Sequence, residues 1–190
     1  GLDGLDRLSR ERVGGEMKKL LAAPDPAPAM AAMAQTGVLA RVLPGADARL
    51  LPILVDAETG PPDPIRRLAA LGGEDLAERL RLSRAEGARL HTLRAEMGTP
   101  TPPAALAYSH GADIARDILL LRAALFATPP DPTAEAQIAK GAAAQFPVKP
   151  TDLMPRLHGP ALGAALKEME ARWIASGFTL TRDQLLRDHG

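Results

Sequence analysis

Prolines and glycines interrupt this chain at roughly every tenth to twentieth residue, eighteen of one and seventeen of the other, and that spacing limits the length of any regular element. A proline inside a helix removes a backbone N–H and collides with the preceding turn, so it belongs at a first helical position or outside the helix. Between the interruptions, apolar residues recur three and four positions apart, the period of one helix face. No run shows the alternation of a half-buried strand. The apolar share comes from Ala, Leu, Val, Ile and Met, with one Trp, one Tyr and three Phe, so the core has to be built from small and flexible side chains packed between helices. The expected fold is all-α, an irregular bundle of short helices with no sheet.

Local signals place the elements. Ser9 is positioned to cap a helix over 10–21. Pro24, Pro26 and Pro28 end it, and a second helix over 29–35 stops at Gly37 as its C′ residue. Five prolines, at 44, 52, 61, 62 and 64, keep the helical pieces of the next stretch short, 47–56 among them. A helix over 65–71 is ended by Gly72-Gly73, and another turn or two follows within 74–82. Ser83 and Glu86 stand in the order of a capping box, heading a helix to about Met97, and Pro102-Pro103 opens the next element. The clearest amphipathic segment is 112–127, with Ile114, Ile118, Leu121 and Leu125 on one stripe, widened by Ala115, Leu119 and Phe126. It is expected to be a central core helix. Asp131-Pro132 starts another through Gln145, which Phe146–Pro150 cannot continue, so the chain is divided there into 1–145 and 146–190. Gly159-Pro160 then opens a helix bearing Leu162, Leu166, Met169 and Trp173 at successive turns, and Thr181 with Gln184 forms a second capping box before a short last helix.

Twenty-three basic and twenty-three acidic residues cancel. This excludes the global basicity of a stand-alone nucleic-acid-binding domain and leaves room for a local basic surface. With no cysteine, disulfides, thiolate zinc sites and cysteine nucleophiles are ruled out, and a reducing cytoplasmic location is compatible. No apolar run reaches the roughly 18 to 20 residues of a membrane span, and the first residues lack the order of a signal peptide. The chain begins at Gly1, which points to an excised or processed piece.

The sequence carries no complete catalytic centre. His91, His110, His158 and His189 are scattered, without an H-x-x-x-H or H-E-x-x-H pair, and His110 with Asp113 is the nearest approach to a ligand pair. Serine-hydrolase, phosphate-loop and dinucleotide motifs are missing. Two-metal phosphoryl transfer draws on converging carboxylates, often as D-x-D; no D-x-D occurs, and Asp56-Ala57-Glu58, the closest match, reads as a solvated turn between prolines. Basic residues gather at Arg7, Arg10, Arg12, Lys18 and Lys19 and again at Arg79, Arg81, Arg84 and Arg89. Solvated helix faces explain both clusters. A stripe that tracks phosphates is also available, because Arg12 and Lys19, seven apart, share one side of a helix, with Glu11 and Glu16 weakening it.

Four segments in order carry a family resemblance. The first runs Leu5-Asp6-Arg7-Leu8-Ser9-Arg10-Glu11-Arg12-Val13-Gly14-Gly15-Glu16-Met17-Lys18-Lys19-Leu20-Leu21. It resembles the "[IL]S-x-E-R…E-x-x-K-L-L" segment of bacterial class II CCA-adding enzymes and poly(A) polymerases. Residues 33–44 are similar to that family's "G-x-L…[IV]-L-P" continuation, and Leu80-Arg81-Leu82-Ser83 with Ala85-Glu86 to its "L-R-L-S-x-x-E" stretch. Asp152-Leu153-Met154, Gly159-Pro160-Ala161-Leu162-Gly163 and 168–174 resemble its tail, "D-L…G-P-x-[IL]-G…E-x-x-W-[IL]".

The resemblance implies the end of the neck plus the helical body over 1–145 and the tail over 146–190 of a nucleotidyltransferase whose catalytic head lies outside this chain. The parent is then a transferase of tRNA processing, adding CMP and AMP, or AMP alone, to RNA 3′ ends. Mg²⁺ and ATP or CTP are implied for that head, with no cofactor, metal ligand or catalytic residue in this chain. The family's E/D-x-x-R nucleotide-pairing element is not reproduced by the opening from Asp3 to Arg7. Ser9, Glu11 and Arg12 match the neck-bracing segment; Arg12, Lys18, Lys19 and Gly159 are the expected RNA-binding positions, the last through the free N–H groups of the helix it opens. The implied partners are the acceptor arm of tRNA or another RNA 3′ end and a covalently attached head, with no membrane. The alternative from composition is a helical protein-interaction module with no RNA role.

Overall fold

A computed structural model describes residues 2–154 and 156–187, and the side chains among them from Ser9 onward. The described residues form thirteen α-helices and no strand, as the punctuated three-four pattern requires. The chain divides into two compact units, one of residues 1–100 and 116–131, the other of 101–115 and 132–190. The Phe146–Pro150 stretch, where the sequence alone was divided, lies inside the second unit.

In the first unit, α1 (Leu2–Leu21), α2 (Ala27–Gln35), α3 (Val38–Val42), α4 (Leu50–Ala57), α5 (Pro64–Leu71), α6 (Leu76–Arg79) and α7 (Arg84–Glu96) follow in order. The central element is α5, buried at every position from Ile65 to Leu71, with α1, α4 and α7 packed on it. Pro64 stands where its missing N–H costs nothing, and Asp63 accepts the N–H groups of Ile65 and Arg66 at 2.9 Å each. Ser83 and Glu86 form the expected capping box at the head of α7. Gly37, at φ +74°, ends α2 and passes the chain directly into α3. The short α6 ends in a Schellman pattern, Leu82 N–H to Ala77 O and Arg81 N–H to Glu78 O, with Arg81 in the left-handed position usually held by glycine.

Three sequence expectations are corrected here. The first helix already begins at Leu2, so Ser9 sits within α1 rather than capping it. Glu58 is no solvated turn: its side chain is 3% exposed and lies between Arg66 and Arg67, because the prolines fold the turn back over the start of α5. In α9 (Ala112–Phe126) the buried stripe is Ala115, Ile118, Leu121 and Ala124. Leu125 and Phe126 are exposed, since the helix turns its last pair outward before Ala127, at φ +48°, ends it.

The second unit holds α8 (Pro103–His110), the first residues of α9, α10 (Ala134–Ala143), α11 (Pro150–Leu153), α12 (Gly159–Ala175) and α13 (Arg182–Arg187). Helices α8 and α10 touch through Gly141, where a Cβ would come within 1.9 Å of the Ala104 carbonyl oxygen. The core of this unit is Val148, Leu153, Ala165, Met169, Trp173 and Leu185, with Tyr108, Phe146 and Phe178 packed against it. Trp173 meets Tyr108 and Phe178 edge-on, with ring centroids 5.5 and 4.9 Å away. Thr181 and Gln184 bond reciprocally at the start of α13, the second capping box.

Candidate nucleic-acid interface

One face of α1 is fixed by packing. Gly14, Met17 and Leu21 are buried at spacings of three and four, and Gly14 is pressed so close to α6 that a Cβ would stand 2.0 Å from the Leu80 carbonyl oxygen. The opposite face, carrying Glu11, Arg12, Glu16 and Lys19, is exposed. Arg12 makes no hydrogen bond or ion pair with any described residue. Lys19 reaches back to Glu16 at 2.9 Å on the surface; its hydrogen bond and charge hold the Glu16 carboxyl below its ordinary value. An exposed pair of this kind contributes little to stability, so Lys19 can exchange partners.

Lys18 behaves differently. It turns to α7 and pairs with Glu86 at 3.0 Å, both side chains about one-third exposed at 34% and 30%. Glu86 also accepts the Ser83 N–H of the capping box at 2.8 Å. That backbone hydrogen bond, together with Lys18, holds its carboxyl below the usual range. Of the expected basic positions, Arg12 and Lys19 therefore share the outward face, while Lys18 ties α1 to α7. Gly159 belongs to the second unit, where it starts α12 at φ +54°.

Beside the fixed face, α1, α3 and α6 enclose a groove of about 440 Å³ lined by Ser9, Arg10, Val13, Arg41, Val42, Asp75, Glu78 and Arg79. Ser9 thus opens onto a cavity instead of capping a helix. Arg10 pairs with Glu78 at 3.4 Å, with 46% and 71% of the two side chains exposed.

A second polar constellation lies on α5 and its neighbours. Arg66 binds Glu58 at 2.7 Å and Asp117 at 2.8 Å, and Arg67 binds the other Glu58 oxygen at 2.7 Å. Arg89 joins Asp63 at 2.8 Å and also pairs with Asp117. Burial works against the charges of Asp63, Arg66 and Arg89, but the opposite partners outweigh it: the Asp63 carboxyl is held low and both guanidiniums are held high. Arg67, 2% exposed, also donates to the carbonyl oxygens of Leu21 at 2.7 Å and Ala23 at 2.5 Å. It closes the C-terminal end of α1, where main-chain acceptors have no partner within the helix. These charges are paired with one another and largely enclosed, so they are not available to a ligand.

Sequence reasoning missed Glu58, Arg66 and Arg67. The available signal was an Arg pair set inside the apolar run from Ile65 to Leu71, since charges in a fully buried helix require counterions. Among the described residues no group of three or more His, Asp or Glu is placed to hold a metal ion, and His189 lies outside them. No helix among the described residues is long and apolar enough to cross a membrane.

Residues 3–50, spanning α1 to the start of α4, match the family model described as the probable RNA- and SrmB-binding site of polymerase A. No curated protein matches the chain.

Proposed function

We propose, from the RNA-binding region that the match over residues 3–50 supports, that this chain holds RNA for a nucleotidyltransferase of the polymerase A type. The observation that carries the reading is the coincidence of that match with the outward face of α1, where Arg12 and Lys19 are exposed. Their role is to grip phosphates of a tRNA acceptor arm or another RNA 3′ end. This supplies proximity and orientation to a catalytic head attached before the chain, rather than bond chemistry. Residues 1–145 would act as neck and body and 146–190 as tail, with Gly159 offering backbone N–H groups to a further phosphate. Ser9, Glu11 and Arg12 would brace the nucleotide-facing helices. The parent activity in this reading is a cytoplasmic transferase adding CMP and AMP, or AMP alone; Mg²⁺ and nucleoside triphosphates belong to the head.

The test is fluorescence anisotropy of the full chain with a labelled RNA hairpin bearing a single-stranded 3′ end, titrated with salt. The expected result is affinity that falls steeply with salt, and a weakening of about 3- to 10-fold, with a salt slope shallower by about one to two, in the Arg12→Gln, Lys19→Gln double variant. Absence of binding even at low salt overturns the reading. It would leave the helical protein-interaction module, which the balance of 23 basic and 23 acidic residues favours.

A further inference from the structure

We infer that the groove between α1, α3 and α6 is a phosphodiester-binding subsite, in which Arg41 and Arg79 contact the anion and Arg10 exchanges Glu78 for it. The inference rests on the RNA reading above and places a contact away from the outward stripe of Arg12 and Lys19.

Three observations converge on an anion. Arg10, Arg41 and Arg79 meet in one groove against only Asp75 and Glu78. Arg41 is exposed, and neither it nor Arg79 has an ion-pair partner among the described residues. In contrast, Lys18, Arg66, Arg67 and Arg89 are all committed to carboxylates. The Nε–H of Arg79 is buried with no acceptor, although buried donors in folded proteins are nearly always satisfied. A guanidinium can hold two oxygens of one phosphate side by side; turning Arg79 toward such a group in the groove satisfies the orphaned donor.

The groove also suits a backbone phosphate with its sugars. Its volume of about 440 Å³ lies within the range of small-ligand clefts, and Val13 and Val42 give it apolar walls against a ribose. The resident ion pair is easily displaced: Arg10 and Glu78 are 3.4 Å apart and largely exposed, the condition in which a pair contributes least. The turn carrying Glu78 and Arg79 is set by Asp75 and Arg81, which hold left-handed φ of 51° and 48° at its two ends.

The experiment uses the same labelled hairpin and the full chain, with Arg41→Gln, Arg79→Gln and Glu78→Gln measured over a salt series and circular dichroism recorded on each. Arg41→Gln and Arg79→Gln are each expected to weaken binding about 3- to 10-fold and to lower the salt slope by about one. Glu78→Gln is expected to tighten binding, a gain that a folding defect cannot mimic. If the wild-type chain binds, and the Arg12, Lys19 double variant weakens it while all three groove variants match wild type, the groove inference fails and the RNA reading stands. If the wild-type chain does not bind, both fail.

Discussion

Asp63 carries two duties in one carboxylate: it caps α5 through the Ile65 and Arg66 N–H groups, and it holds Arg89 from α7 at 2.8 Å. Replacing it with alanine removes the cap and leaves Arg89 short of a partner in a half-buried site. Asp63→Ala is expected to cost about 2–4 kcal/mol in denaturant unfolding, and Asp63→Asn, which keeps the cap geometry but not the charge, about half of that. A loss confined to a few tenths of a kcal/mol for alanine would show the pair and cap to be redundant. The expected helix over 65–71 was placed without its cap, although Asp before proline is a local signal that could have supplied it. The bond from Asp63 to Arg89 had no such signal. Arg66 meets Asp117 across 51 positions and Arg67 meets Leu21 across 46, and no local pattern announces a partner at such a distance.

At the scale of elements, adjacent glycines of α1 make opposite demands. A methyl at Gly14 would run into the Leu80 carbonyl, whereas one at Gly15 meets nothing within 4 Å. Gly14→Ala is expected to destabilise by about 2 kcal/mol or more as α1 is pushed off α6. Gly15→Ala should stabilise by about 0.5–1 kcal/mol through helix propensity alone. Thermal unfolding of the two variants reads this directly, and equal shifts would contradict the packing of α1 on α6. The helices themselves were visible in advance wherever punctuation was chemical: the boxes at Ser83 and Thr181, Pro103 at the head of α8, and Gly37 after α2. The start of α1 was not, since Ser9 has a capping side chain but sits inside a helix already begun. The groove was half legible. Arg10 and Arg79 stood in recognised basic clusters, but only packing shows that α3 brings Arg41 beside them.

For the whole molecule, acid should be the destabilising direction. Carboxyls in both units are depressed in the folded state: Asp63 and Glu86 in the first, and in the second Asp152, brought to about 2 by Arg182 and the Lys149 N–H. A group with a lowered folded pKa binds fewer protons folded than unfolded. Its stabilisation is complete above the unfolded value and is lost as pH falls toward the folded one. The urea midpoint is therefore expected to fall progressively from about pH 5 to about pH 2, and the Asp152→Asn variant to lose the steepest, most acid part of that dependence. A midpoint unchanged across this range would refute the paired geometry. The two units also differ in what fills them. The first is packed with Leu, Met and Ala, while Tyr108, Phe146, Trp173 and Phe178 gather in the second, a partition that composition did not reveal. With the single indole walled in by those rings, its emission is a built-in spectroscopic label. Quenching, spectral shift and anisotropy decay of Trp173 report on the second unit, without any dye and with no indole background from the first.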